Sequence, residues 1–96
     1  LCAFWPVPAT GSPHALDPPQ ALADAGLPQL VVVSTTQDPA TPPYQAGVDL
    51  AKQLGAALIT FDGTQHTVVL DGNSCVDDAV VDYFVYLKAP EEGLTC

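Results

Sequence analysis

The chain has 96 residues, 48% of them hydrophobic, enough for one small domain and no more. Its 2 basic residues against 11 acidic ones give a net charge of −9, which speaks against nucleic acid and anionic membrane surfaces as partners, since both need basic patches. No run approaches the about 18 uncharged apolar residues of a membrane-spanning helix.

The first residues, Leu1-Cys2-Ala3-Phe4-Trp5-Pro6, carry no basic flank leading into an apolar core, so they do not read as a signal peptide. Residues 1–28 form a Pro- and Ala-rich connecting segment. Thr10-Gly11-Ser12-Pro13 and Asp17-Pro18-Pro19 mark turns within it, and there is room for a short helix around residues 20–25. Residues 29–96 carry the periodic pattern of a folded unit. Leu30-Val31-Val32-Val33, bounded by Pro28 and a Ser/Thr cluster, reads as a parallel strand over about residues 30–34, buried on both faces. Its C-terminal end leads to Asp38.

Thr41 suits an N-cap and Pro42 a first helical position, so a helix is expected over about residues 42–54. Gly47, Val48, Leu50, Ala51 and Leu54 would form its apolar face, with Gly55 ending it. Ala57-Leu58-Ile59-Thr60-Phe61 reads as a second buried parallel strand, completing a right-handed β-α-β crossover, and Asp62-Gly63 turns the chain towards His66. Ser74-x-x-Asp77 resembles a capping box that opens a last helix over about residues 75–88. Val76, Val80, Tyr83, Phe84 and Leu87 would face inward and Pro90 would stop it. Trp5, Tyr44, Tyr83, Phe84 and Tyr86 are most simply core or interface aromatics.

Chemistry concentrates at the C-terminal ends of the two strands. An acid on the loop after one strand and a His on the loop after the next, in that order, is how an α/β-hydrolase supplies two of its three catalytic groups. Taken singly, an Asp-Pro after a strand is commonly a turn and a loop His is commonly a surface residue. The pair favours the catalytic reading, with Asp38 as acid and His66 as general base. The serines, Ser12, Ser34 and Ser74, lack the G-x-S-x-G context of a nucleophile elbow, so the nucleophile-bearing N-terminal part is expected outside this chain. His14, beside Pro13, has no comparable support and reads as structural. The Cys and His spacing fits no zinc site and no G-x-G-x-x-G loop is present, so neither metal nor cofactor is implied.

Three cysteines in an acidic, Pro-rich chain fit an oxidising compartment, hence a secreted or cell-envelope protein, better than the cytosol. A bridge between Cys75 and Cys96 would tie the tail back and leave Cys2 for a partner segment, whereas free thiols in a cytosolic domain are the plainer alternative.

Cys2-x-x-Trp5-Pro6, the Val-rich strand leading to Asp38-Pro39-Ala40-Thr41-Pro42, His66-Thr67, Cys75-Val76-Asp77 and Gly93-x-x-Cys96, in that order, resemble one family. It is the TAP-like C-terminal segment of secreted bacterial α/β-hydrolase serine peptidases of the tripeptidyl-aminopeptidase type. The resemblance implies the C-terminal β-α-β-α portion of an α/β-hydrolase fold. It also implies Asp38 as triad acid, His66 as base, Thr41 as a brace of the acid loop, and a Cys75–Cys96 disulfide with Cys2 bonded beyond this chain. The expected partners are a Ser-bearing N-terminal part of the same enzyme and a peptide substrate. Gln65 departs from the family, which usually has Gly before the His. An esterase or lipase-like activity on the same triad remains open, as does a non-catalytic secreted domain that binds a protein through uncovered sheet surface.

Overall fold

The computed structural model describes residues 4, 6–41 and 43–96, so Cys2, Trp5 and Pro42, each singled out above, lie outside the described residues. The elements run α1 (Pro19–Asp24), β1 (Val31–Thr35), α2 (Tyr44–Leu54), β2 (Ala57–Phe61) and α3 (Ser74–Tyr86). β1 and β2 pair in parallel, with Val31 opposite Ala57 and Thr35 opposite Phe61. This is the expected α/β unit, with β2 at the expected bounds and β1 displaced by one residue. The register brings the chain out of both strands at the same edge.

The strand period of two divides the side chains between two helices. On one face Ile59 packs with Val68, Val76 and Val80 in the buried core, flanked by Val31, Val33 and Phe61. On the other, α2 lies over the sheet, where Tyr44 Oη and Thr60 Oγ1 share a hydrogen bond of 2.8 Å. α2 also comes so close to β1 that a Cβ at Gly47 would collide with the Ser34 hydroxyl.

Several boundaries differ from expectation for identifiable reasons. α2 begins at Tyr44 after Pro43, not at Pro42 with Thr41 as cap, because the Thr41 amide is turned to the Asp38 carboxylate at 3.1 Å. Gly55 ends α2 as expected, in the left-handed conformation (φ 62°). Leu50, placed on the buried face by its spacing, is 41% exposed, and Ala51 takes the buried position.

The cap of α3 is Asn73 and not Ser74: its side chain accepts from the Val76 amide at 3.0 Å. The helix stops at Tyr86, with Leu87 left-handed (φ 53°), ahead of any effect of Pro90. Only the first half of its expected inner face is covered. Val76 and Val80 are buried and pack with Ile59 and Val68, whereas Phe84 is 74% and Leu87 64% exposed and neither belongs to that cluster.

One strand partner was not anticipated. Thr95 bridges Thr60 in parallel, and the tail exchanges hydrogen bonds with β2: Thr60 N–H donates to Leu94 (2.9 Å), Cys96 N–H to Thr60 (2.8 Å) and Asp62 N–H to Cys96 (2.8 Å). A disulfide joins Cys75 at the start of α3 to Cys96 in this tail. Among the described residues no helix is long and apolar enough to cross a membrane.

Candidate active site

The Asp38 loop follows β1 and the His66 loop follows β2, so the parallel register delivers both to one edge of the sheet, where open α/β folds bind ligands. There His66 Nδ1 lies 3.0 Å from Asp38 Oδ2 and 3.2 Å from Oδ1. An ionised carboxylate only accepts, so Nδ1 carries the hydrogen and donates it. The lone pair of Nε2 is left free. The Asp38 side chain is 10% exposed and that of His66 46%, so the imidazole is the solvent-facing member of the pair.

Asp38 is held by its own loop before His66 reaches it. Its Oδ1 accepts from the amides of Ala40 (2.8 Å) and Thr41 (3.1 Å). The Ala40 amide, then the His66 hydrogen bond, hold its carboxyl far below the usual carboxylate range, against the opposing effect of burial. Asp38 is therefore an anion throughout the neutral and mildly acidic range. The Thr41 amide is thus one of the two that hold the Asp38 carboxylate.

The His66 loop needs more support, because Thr67 and Leu70 both have φ of 59°, an unfavourable region for residues with a side chain. Three contacts hold it. Val68 is buried in the core beside Val76. Gln65 Nε2 donates to Asp71 Oδ2 across the loop, which gives the departure at position 65 a structural use. Asp77 reaches back from α3, accepting from the amides of Leu70 (2.7 Å) and Gly72 (3.1 Å).

Ser34, Thr35, Asp38, Thr41, His66 and Val68 are among the residues lining an open cleft of about 320 Å³. A larger recess of about 640 Å³, at the other ends of the strands near Gln29 and Ala57, holds no paired acid and base. Ser34 lines the cleft, but its hydroxyl packs against Gly47 of α2. His14 is exposed in the segment before α1. Sequence reasoning missed Thr36, Asp71 and Asn73, whose contributions are hydrogen bonds fixed by loop conformation, and it did not give Asp77 its role towards the loop. Asp77 in the first turn of α3 was a visible signal, but it pointed to a capping box and not to the loop.

A largely covered carboxylate orienting a more exposed imidazole at the C-terminal edge of a parallel sheet is the arrangement of the hydrolase class of α/β proteins. The comparisons with known proteins agree: the model of the TAP-like protein family matches residues 1–96, and the chain belongs to that family of α/β-hydrolases. It is 65% identical over 96 residues to carboxylesterase B of Mycobacterium tuberculosis and 57% identical over 95 residues to the serine protease Hip1 of the same organism. It is 32% identical over 97 residues to the tripeptidyl aminopeptidase of Streptomyces lividans. These alignments take in 99–100% of this chain and 17% of each relative, so the chain spans about one sixth of the length of the curated relatives it matches.

Proposed function

We propose that this chain is the acid-and-base portion of an exported serine hydrolase that acts by Ser-Asp-His acyl transfer, with the Ser supplied by an N-terminal part outside these residues. The observation that carries the reading is the Asp38–His66 pair, bonded through Nδ1 with Nε2 free. In acyl transfer Nε2 takes the proton of the serine hydroxyl as its oxygen attacks the substrate carbonyl carbon. Asp38 stabilises the imidazolium that results. His66 then returns the proton to the leaving amine or alcohol as the tetrahedral intermediate collapses, and a water deprotonated by Nε2 releases the acyl group by the same path. Oxyanion-hole donors and most of the substrate pocket belong to the remainder of the enzyme.

A peptidase acting near the free N-terminus of its substrate is the first choice, supported by the resemblance to relatives named serine protease and tripeptidyl aminopeptidase. An esterase is the second, favoured by the 65% identity to a relative named carboxylesterase B. Export is supported by the Cys75–Cys96 disulfide, since such bridges persist in oxidising compartments.

The test is fluorophosphonate labelling of the full-length protein, with His66→Gln beside it, followed by kinetics on a tripeptide anilide with a free amine and on a short-chain aryl ester. Labelling that depends on His66, with the anilide as the better substrate, is expected. An ester-only profile would transfer the assignment to the esterase, and a protein that never labels would overturn the serine-hydrolase reading.

A further inference from the structure

Asp38 and His66 sit on separate loops, and their hydrogen bond exists only while those loops keep one relative position. The strand pairing ends with Thr35 opposite Phe61. Two more backbone bonds extend it: Thr36 N–H donates to Phe61 at 2.9 Å and Gln37 N–H to Gly63 at 3.0 Å. Beyond these the chains separate, Asp38 following at once on one side and Thr64 to His66 on the other.

At this fork the Thr36 hydroxyl adds a side-chain tie to those of the backbone. It accepts from the Gly63 amide at 3.2 Å and donates to the Asp62 carboxylate at 2.9 Å, with the Gly63 carbonyl at 3.4 Å beside it. A hydroxyl has one hydrogen and two lone pairs, so donor and acceptor are both engaged in the His66 loop. The Phe61 ring closes over Gly63, where an added Cβ would collide with it. We infer that Thr36 is a positioning residue of the catalytic pair: its hydroxyl latches the acid loop to the base loop and so sets the Asp38–His66 distance.

This inference rests on the proposed hydrolase function for its kinetic consequence, but the latch itself is a property of the two loops. Thr36 is not among the residues lining the cleft, so it acts through the pair and not on substrate. Replacing the hydroxyl by a methyl of nearly the same size leaves the Gly63 N–H without its partner and removes the tie to Asp62. Only the backbone bonds of Thr36 and Gln37 then hold the fork, and the two loops are freer to shift against each other. A misplacement of about 1 Å costs a reaction about 100-fold, and a donor–acceptor distance of about 3.6 Å is no longer a hydrogen bond.

The experiment compares Thr36→Val, which keeps the shape and loses the hydroxyl, with Thr36→Ser, which keeps the hydroxyl and loses the methyl. Both are made in the full-length protein. Thr36→Val should lower kcat about 10- to 100-fold with KM little changed, and Thr36→Ser should restore most of it. The low-field proton resonance of His66 Nδ1–H should broaden away in the Val variant and persist in the Ser variant. A Val variant with unaltered kcat and an intact resonance, or a Ser variant as impaired as the Val one, would overturn the latch. Should the Val variant fail to fold, hydrogen exchange at the Gly63 amide of the unaltered protein decides: slow exchange supports the latch and open-chain exchange overturns it. If the unaltered protein never labels with a fluorophosphonate, the hydrolase reading fails by itself, and the resonance and exchange measurements still decide on Thr36.

Discussion

Reduction of the Cys75–Cys96 disulfide should release the short C-terminal strand from β2, and its cost follows from the chain it closes. The bridge spans 21 residues, and a loop of that length removes about 3 kcal/mol of chain entropy from the opened state. At about 1.4 kcal/mol per decade this is roughly a hundredfold in the population of the detached tail. The effect is local, because the tail is held by the hydrogen bonds of Thr60, Asp62 and Cys96 and by Leu94 packed against the core. Amide exchange reads it directly. On reduction, or in the paired Cys75→Ser and Cys96→Ser variant, the amides of Thr60, Asp62 and Cys96 should exchange about a hundred times faster. The Ala57 amide, bonded to Leu30 at 2.9 Å at the far end of β2, should not change and serves as the internal control. Unchanged exchange at all three tail amides would refute the reasoning, since the ladder and Leu94 would then hold the tail without the bridge. Equal acceleration at Ala57 would refute its locality.

Asp38→Asn should lower kcat of the full-length enzyme by about 10⁴-fold with little change in KM, because an amide can present a hydrogen to Nδ1 and favour the tautomer with the proton on Nε2; steady-state kinetics checks it. The acid limb of stability has a definite sign: the folded-state carboxyl of Asp38 lies far below its ordinary value of 3.8. Its contribution is complete above that value and is lost as pH falls below it towards the folded-state value. The melting temperature of the unaltered protein should therefore drop on acidification below about pH 4. Asp38→Asn should show a shallower drop over the same interval, and a parallel pair of curves would contradict the assignment.

The parts of the fold that were legible in the sequence are those fixed by local pattern. Ala57 to Phe61 is a strand-favouring run, apolar but for Thr60, between Gly55 and Gly63, and it became a strand at its own bounds. Asp38 and His66 were legible because each follows a strand, and parallel pairing converts that into proximity. The C-terminal bridge was not legible: Leu94-Thr95-Cys96 is too short to show a period, and only the isolated bridge of Thr95 to Thr60 joins it to β2. Spacing placed Phe84 and Leu87 on the same stripe as Val76 and Val80. It could not say how far along α3 that stripe would find something to cover it. The N-cap was misplaced by one residue because Asn73 and Ser74 are both good caps, and the choice depends on where the preceding loop enters the helix.

That loop is also where local preference and the candidate site are opposed. Two residues with side chains, Thr67 and Leu70, hold positive φ, at a cost on the order of 1–3 kcal/mol each. Nothing in their own sequence favours it. The cost is met by interactions that are not local to them: Val68 is buried against Val76, and Asp77 receives the amides of Leu70 and Gly72 from the first turn of α3. The start of α3 is in turn fixed by the Asn73 cap and by the disulfide at Cys75, which leads through Cys96 and the Asp62 amide back to the beginning of the same loop. The loop that carries His66 is thus clamped at both ends by the element that follows it, and at its root by Thr36 on the acid loop. For the proposed acyl transfer, in which His66 would hold one hydrogen bond to Asp38 and present its other nitrogen to the serine hydroxyl, this closure is what keeps the imidazole in register with the carboxylate.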